Sequence, residues 1–262
     1  MTVSVKEIIE LAPHNLLWAS GALLFAASLA WSRRIGQARS LLWGALRMML
    51  QLLAVGYALR WIFAARHPLP TLLMLLVMGG FALQIMAGRL RHKMPGFYRI
   101  VSTSLLAGCG GITLYFCLLV IGPSPWYDPR YLIPLAGMII GNSINGACLA
   151  VERFAAEMTE RRAEIETALC LGASCRMACQ GPLRNAFQAA LLPSINTMAA
   201  MGVVSLPGMM TGQILSGTDP LTAVKYQIAI MCAIVGSVAL TSALLLLQGY
   251  RAYFTEAHQL RC

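Results

Sequence analysis

The 262 residues are 58% apolar and only 11% charged, too hydrophobic for a soluble domain of ordinary composition, so the lipid bilayer is the expected solvent. A helical span takes about 20 apolar residues, so seven would consume roughly 140 and leave only short connectors, with no room for a sizeable soluble core. A formal net charge of +10 would suit nucleic acid, but Lys and Arg cluster between the hydrophobic runs; membrane topology accounts for them and no nucleic-acid partner is expected.

In chain order, long apolar runs predict membrane-spanning helices at 11–31, 41–63, 70–87, 102–121, 132–151, 185–206 and 222–248. The expected fold is an all-α polytopic bundle of about seven helices. The first run contains Ser28-Leu29-Ala30, similar to a leader-cleavage site, yet residues 1–14 carry Glu7 and Glu10 instead of a basic leader, so a retained helix is expected. The connectors alternate in charge. Arg33, Arg34 and Arg39 are followed by Arg66 alone, then by Arg89, Arg91, Lys93 and Arg99, then by Arg130 alone. Arg153, Arg161, Arg162, Arg176 and Arg184, and Arg251 and Arg261 in the tail, fall on the same side as the larger clusters. Basic connectors stay in the cytoplasm, which predicts an N-out, C-in protein of the bacterial inner membrane.

Polar groups inside spans are the first suspects for a substrate path, because Arg at a helix centre costs about 2.5–3.5 kcal/mol and is tolerated where it faces protein or water. Arg47 and Gln51 lie four apart on one face of the second span; they fit either contact with substrate or lipid phosphate, or an interhelical pair. In the fifth span Asn142, Ser143 and Asn145 stand between Gly141 and Gly146, as substrate-facing oxygens or as helix-to-helix glue. Ser205 and Gln188 add neutral oxygens. The predicted spans hold no Asp, Glu or His away from their ends, which argues against a cage for a bare hard ion and leaves passage of a chelate open. Cys175 and Cys179 share a helix face but fall short of the four ligands of structural zinc, so no metal site is expected.

Fifteen methionines would suit soft ions, but Met48, Met49, Met74, Met78 and Met86 lie in apolar stretches where Met fills gaps. Met209 and Met210 differ. With Pro207 and Gly208 they belong to the segment 207–220, which reads either as a re-entrant outer gate or as a surface turn. Asp219 and Lys225 are placed to pin the start of the last span, by an ion pair or by an Asp contact at the helix N-terminus.

The connector 152–184 is the most informative loop. Phe154, Met158, Ile165 and Leu169 recur at helical spacing, and Glu157 with Arg161 forms an expected i,i+4 pair on the outer face. The helix should break at Gly172, a second short helix capped by Ser174 should run to about residue 180, and Gly181 and Pro182 should stop it. No G-x-x-x-x-G-K-[ST], H-E-x-x-H or G-x-S-x-G is present, and Lys6, Lys93 and Lys225 are the only lysines. The chain is expected to have no catalytic residues and no ATP-binding motor of its own.

Glu166-Thr-Ala168-Leu-Cys-Leu-Gly172 is similar to the E-A-A-x-x-x-G coupling motif of ABC-transporter permeases, without its middle Ala. Residues 136–142 (AGMIIGN), Leu171-Gly172-Ala173, residues 202–212 (GVVSLPGMMTG), Asp219-Pro220 and residues 225–228 (KYQI) resemble the Fet-type iron-export ABC permeases, with Arg47, Gln51, Gly56 and Tyr57 also fitting. The resemblance covers 41–248. It implies that residues 1–262 form a single permease domain coupled through Glu166, Ala168 and Gly172 to a separate ATPase. It further implies a homodimer with two ATPases, ATP-Mg on the partner, no cofactor on this chain, and iron efflux. Plant relatives of that family are linked to aluminium tolerance and to a sugar nucleotide, which keeps open an organic phosphate met by Arg47. A passive channel lined by Asn142 to Asn145 is a further alternative.

Overall fold

The computed structural model describes residues 13–33, 36, 38–65, 67–89, 96–255 and 259–260. Lys6, Glu7, Glu10, Arg34, Arg66, Arg91, Lys93 and Arg261, and the first two residues of the first expected span, lie outside the described residues. The chain divides into two compact units, residues 1–66 with 215–217, and residues 67–214 with 218–262.

In the first unit, α1 (Pro13–Ser32) packs on α2 (Ala38–Ala65). Their large apolar side chains, among them Trp18, Leu50, Leu53 and Trp61, are mostly exposed, as expected of helices that meet lipid instead of water.

The second unit begins with α3 (Pro68–Arg89), whose prolines at 68 and 70 occupy a first turn where a missing N–H goes unneeded. The next helix, α4 (Phe97–Ile121), contains two π-helical turns, Leu106–Gly110 and Phe116–Ile121, and ends where Gly122 turns left-handed at φ 57°. Asp128 accepts from the Arg130 N–H at 3.0 Å and caps α5 (Pro129–Glu160). Two short helices follow, α6 (Arg162–Cys170) and α7 (Cys175–Ala178), and then the long α8 (Gln180–Ala200). An eight-residue helix, α9 (Gly208–Leu215), precedes α10 (Pro220–Gly249), which is capped by Asp219 accepting from the Thr222 N–H at 3.1 Å and continues into a 3-10 turn, Tyr250–Tyr253.

α5, α8 and α10 pack against one another, with α3 and α4 flanking α5 and α10. One core cluster joins Met86, Val101, Cys109, Ile139, Ala147, Ile230 and Val238; a second, toward the ends of α5 and α10, joins Phe154, Met158, Ile165, Cys179, Ala186 and Leu246. Small residues permit the approach. A Cβ on Gly146 would lie 2.6 Å from Val238 Cγ1 and 3.0 Å from the Ala190 carbonyl oxygen, and one on Gly108 would overlap Thr241.

Among the described residues, five helices, α2, α3, α4, α5 and α10 with its 3-10 turn, are long and apolar enough to cross a membrane, and Trp18–Ser32 is a shorter apolar helix. The protein is a polytopic membrane helix bundle. The sixth expected span, 185–206, corresponds to α8, which ends at Ala200 and is too polar, with Gln180, Arg184, Asn185, Gln188 and Asn196, to join those five.

Three expectations for 152–184 change. The helix breaks already at Arg161 (φ −101°, ψ 22°), between α5 and α6, as well as at Gly172. Gly181 and Pro182 stop nothing: they sit in the first turn of α8, where proline costs no hydrogen bond. Glu157 is not on an outer face with Arg161. It is 2% exposed and meets Arg153 and Asn185, while Arg161 pairs with Glu164. The spacing explains this, because Glu157 shares the helix face of Phe154 and Met158 and is carried with them against α8.

Candidate functional site

A cavity of about 250 Å³ opens among α5, α8, α9 and α10. Its polar lining comes from Asn142 and Asn145 of α5, Ser194 and Thr197 of α8, and Gln227 of α10. Pro193 of α8 also lines it, and its missing N–H interrupts the helix ladder at this point. Asn142 Nδ2 donates to the Met138 carbonyl one turn earlier, at 2.8 Å, leaving its amide oxygen uncommitted. Asn145 Oδ1 accepts from Arg89 Nη1 at 2.9 Å, so a guanidinium that ends α3 reaches the cavity lining through one amide. Among the described residues, the buried Gln227 Oε1 has no hydrogen-bond partner. A buried unpaired amide oxygen is costly, and it marks the cavity as a place where a ligand or water is due.

Of the other sequence-derived candidates, Ser143 turns away from the cavity. It is fully buried and shares a 2.8 Å hydrogen bond with Ser237, joining α5 to α10. Ser205 is exposed, its carbonyl accepting from the Gly202 N–H at 3.0 Å, and does not line the cavity. Pro207, Gly208 and Met209 line it, whereas Met210 lines a neighbouring hollow of about 340 Å³. Most of the segment 207–220 is the helix α9, followed by the short turn that leads into α10. Asp219 acts as a helix cap, the second of its two expected roles. Arg47 and Gln51 lie exposed on one face of α2, in the first unit.

Met138, Ser194, Thr197, Gln227 and Met231 were not singled out from sequence. Gln227 had a signal: it lies in the KYQI stretch, an amide two residues after Lys225 where a long apolar run begins. Ser194 and Thr197 are small hydroxyls of a kind that also serves as plain helix packing, and nothing in sequence set them apart.

At the far end of α5, Glu166 of α6 is half-exposed and paired with Arg162 at 2.7 Å. Ile165 anchors α6 in the second core cluster. The helix then ends through Gly172 at φ 90°, with the Gly172 N–H donating to the Leu169 carbonyl and the Ala173 N–H to the Ala168 carbonyl, both at 3.0 Å. This turn pushes Leu171 outward, 83% exposed. Ala168 is therefore part of the turn, and Glu166, Leu171 and Gly172 form a projecting corner. Ser174 caps α7 by accepting from the Met177 N–H at 3.4 Å. Cys179 is fully buried and donates from its thiol to the Cys175 carbonyl at 2.9 Å. Among the described residues, no group of three or more His, Cys, Asp or Glu could hold a metal ion.

Residues 13–254 match the model of a family described as "Uncharacterised protein family (UPF0014)". The UPF0014 membrane protein slr1647 of Synechocystis sp. is 39% identical over 253 residues, 97% of this chain and 98% of that protein. The probable iron export permease protein FetB of Escherichia coli is 31% identical over 252 residues, 94% of this chain and 96% of its own, which bears out the resemblance to Fet-type permeases. The protein ALUMINUM SENSITIVE 3 of Arabidopsis thaliana is 32% identical over 239 residues, 91% of this chain and 86% of its own. No solved structure matches. The family match spans both units and nearly every described residue, and the chain belongs to the UPF0014 family of multi-pass membrane proteins.

Proposed function

We propose that this chain is the permease subunit of an ATP-driven exporter, working as two copies with two separate ATPase subunits that bind ATP-Mg. The observation that carries the reading is the pairing of two features on α5: the cavity near its middle, lined by neutral polar groups, and the projecting corner Glu166 to Gly172 attached to its end. Closure of an ATPase dimer against that corner would push on α5 and α8 together, because Glu157 and Asn185 tie the two helices. ATP binding then supplies the free energy that favours one facing of the cavity over the other.

Iron is the cargo in the name of the Escherichia coli relative, and we take it as the first substrate for this chain. The cavity offers amide and hydroxyl oxygens without a carboxylate, which suits transient passage over tight storage. A sugar nucleotide is less well served, since pockets for small organic ligands occupy roughly 300–1,000 Å³ and this cavity about 250 Å³.

The test is to co-purify the chain with its ATPase, reconstitute inside-out vesicles, and compare ATP-dependent uptake of ferrous iron with that of a sugar nucleotide. Iron uptake that stops without ATP supports the exporter. Iron uptake that persists without the ATPase would make the chain a passive channel, and sugar-nucleotide uptake alone would replace the cargo.

A further inference from the structure

The cavity and the neighbouring hollow share Met201, Pro207, Gln227 and Met231 as lining residues. Met138 and Met209 complete the methionine lining of the first, and Met198 and Met210 that of the second. Six of the fifteen methionines thus surround two adjoining hollows at one place in the bundle. They come from four helices and the α8–α9 turn, far apart in sequence, so no local repeat gathers them. Cys232 lines the second hollow as well.

Methionine fills irregular gaps well, but methionines that fill gaps leave none beside them. Here methionine side chains line open space together with Gln227, whose Oε1 has no hydrogen-bond partner among the described residues. Thioether sulfur is a soft, neutral donor that selects closed-shell monovalent ions such as Cu(I) and Ag(I), while Mg(II), Mn(II) and Fe(II) favour carboxylate, imidazole and water. The charge around the cavity agrees. Among the described residues, no acidic side chain lines either hollow, and Arg89 reaches the lining of the first through Asn145. Its repulsion is half as large for a monovalent as for a divalent ion, and the desolvation cost of the ion also falls with lower charge.

We propose that the methionines around Met201 and Met231 form a binding site for a soft monovalent metal ion of the Cu(I)/Ag(I) class, with Gln227 Oε1 as an auxiliary oxygen. This goes beyond the permease reading, since it gives the cavity a soft ion that is held, besides the Fe(II) that would only pass its oxygens; transport of either ion rests on that reading, binding on the cavity itself.

The full-length chain, labelled with ¹³C at the methionine ε-methyls and purified in detergent, would be titrated with Ag(I), with Fe(II) as the comparison. Methyl signals report thioether binding, and the titration uses a Cys232→Ser background so that Ag(I) held by this neighbouring thiol does not move them. Signals of Met138, Met201, Met209 and Met231 should move with Ag(I) and stay in place with Fe(II), while those of Met48 and Met49, exposed on α2, stay in place throughout. A Met201→Leu/Met231→Leu variant conserves volume and so retains the fold; it should weaken the Ag(I) response by about tenfold or more. Immobile cavity methyls under Ag(I), an equal response to Fe(II), or unchanged affinity in the double-Leu variant would each overturn the site. A vesicle preparation that fails to transport would leave these signals as they are, so loss of the exporter reading and loss of this site are told apart.

Discussion

Asn185 Nδ2 lies 2.9 Å from both carboxylate oxygens of Glu157, joining the start of α8 to the end of α5 across a buried contact. Arg153, one turn earlier on α5 and half-exposed, supplies the charge partner at 2.9 Å. Removing the amide strips one partner from a buried carboxylate, which costs about 1–3 kcal/mol. Asn185→Leu should lower the thermal unfolding midpoint in detergent. Gln188→Leu, an exposed position on the same helix, should change stability by no more than about 0.5 kcal/mol. Equal midpoints for the two variants would show that the Glu157 contact contributes nothing.

Gly146 and Gly141 lie on the same helix and should respond oppositely to alanine. A Cβ at 146 meets Val238 Cγ1, on a stiff branched side chain, and the backbone oxygen of Ala190, so the helices must part at a cost of about 1–3 kcal/mol. At 141 nothing lies within 4 Å, and Ala in place of Gly in a helix interior stabilises by about 0.5–1 kcal/mol. Denaturation of the two purified variants checks the sign of each.

Gly172→Val places a branched residue at φ 90°, where nothing obstructs the side chain but the backbone itself resists. The strain is about 1–3 kcal/mol, and it falls on the corner that presents Leu171. Basal ATPase activity of the complex should persist while ATP-dependent cargo uptake drops severalfold. Full uptake would remove this corner from coupling.

Cys179 and Cys170 should separate in thiol chemistry. Burial pushes the Cys179 thiol up to about 11 from an ordinary 9.0, so at pH 7.5 it holds its proton and reacts slowly, whereas Cys170 is exposed. Maleimide labelling read by mass spectrometry should modify Cys170 and spare Cys179 in the folded protein. The same shift bears on stability. Between about pH 9 and 11 the unfolded chain has lost a proton that the folded chain keeps, so this thiol's contribution is full below 9 and declines as pH rises toward 11.

Composition and the lengths of the apolar runs by themselves determined that this is a multi-pass helical membrane protein. Unsatisfied backbone is prohibitive in lipid, and about 20 apolar residues admit one solution. Local chemistry also determined the caps at Ser174 and Asp219 and the break at Gly172, because each depends on neighbours within a few residues. Tertiary structure alone decided which polar groups meet. Helical spacing put Asn142, Ser143 and Asn145 in one stretch, but only the packing of α8 and α10 turned Ser143 to Ser237 and opened Asn142 and Asn145 to the cavity. Arg89, read from sequence as a topology signal, reaches Asn145 across 56 residues, and Asn185 reaches Glu157 across 28. Periodicity names the face a residue occupies on its own helix; what stands opposite that face depends on how close the helices come, and here Gly146 and Gly108 set that distance.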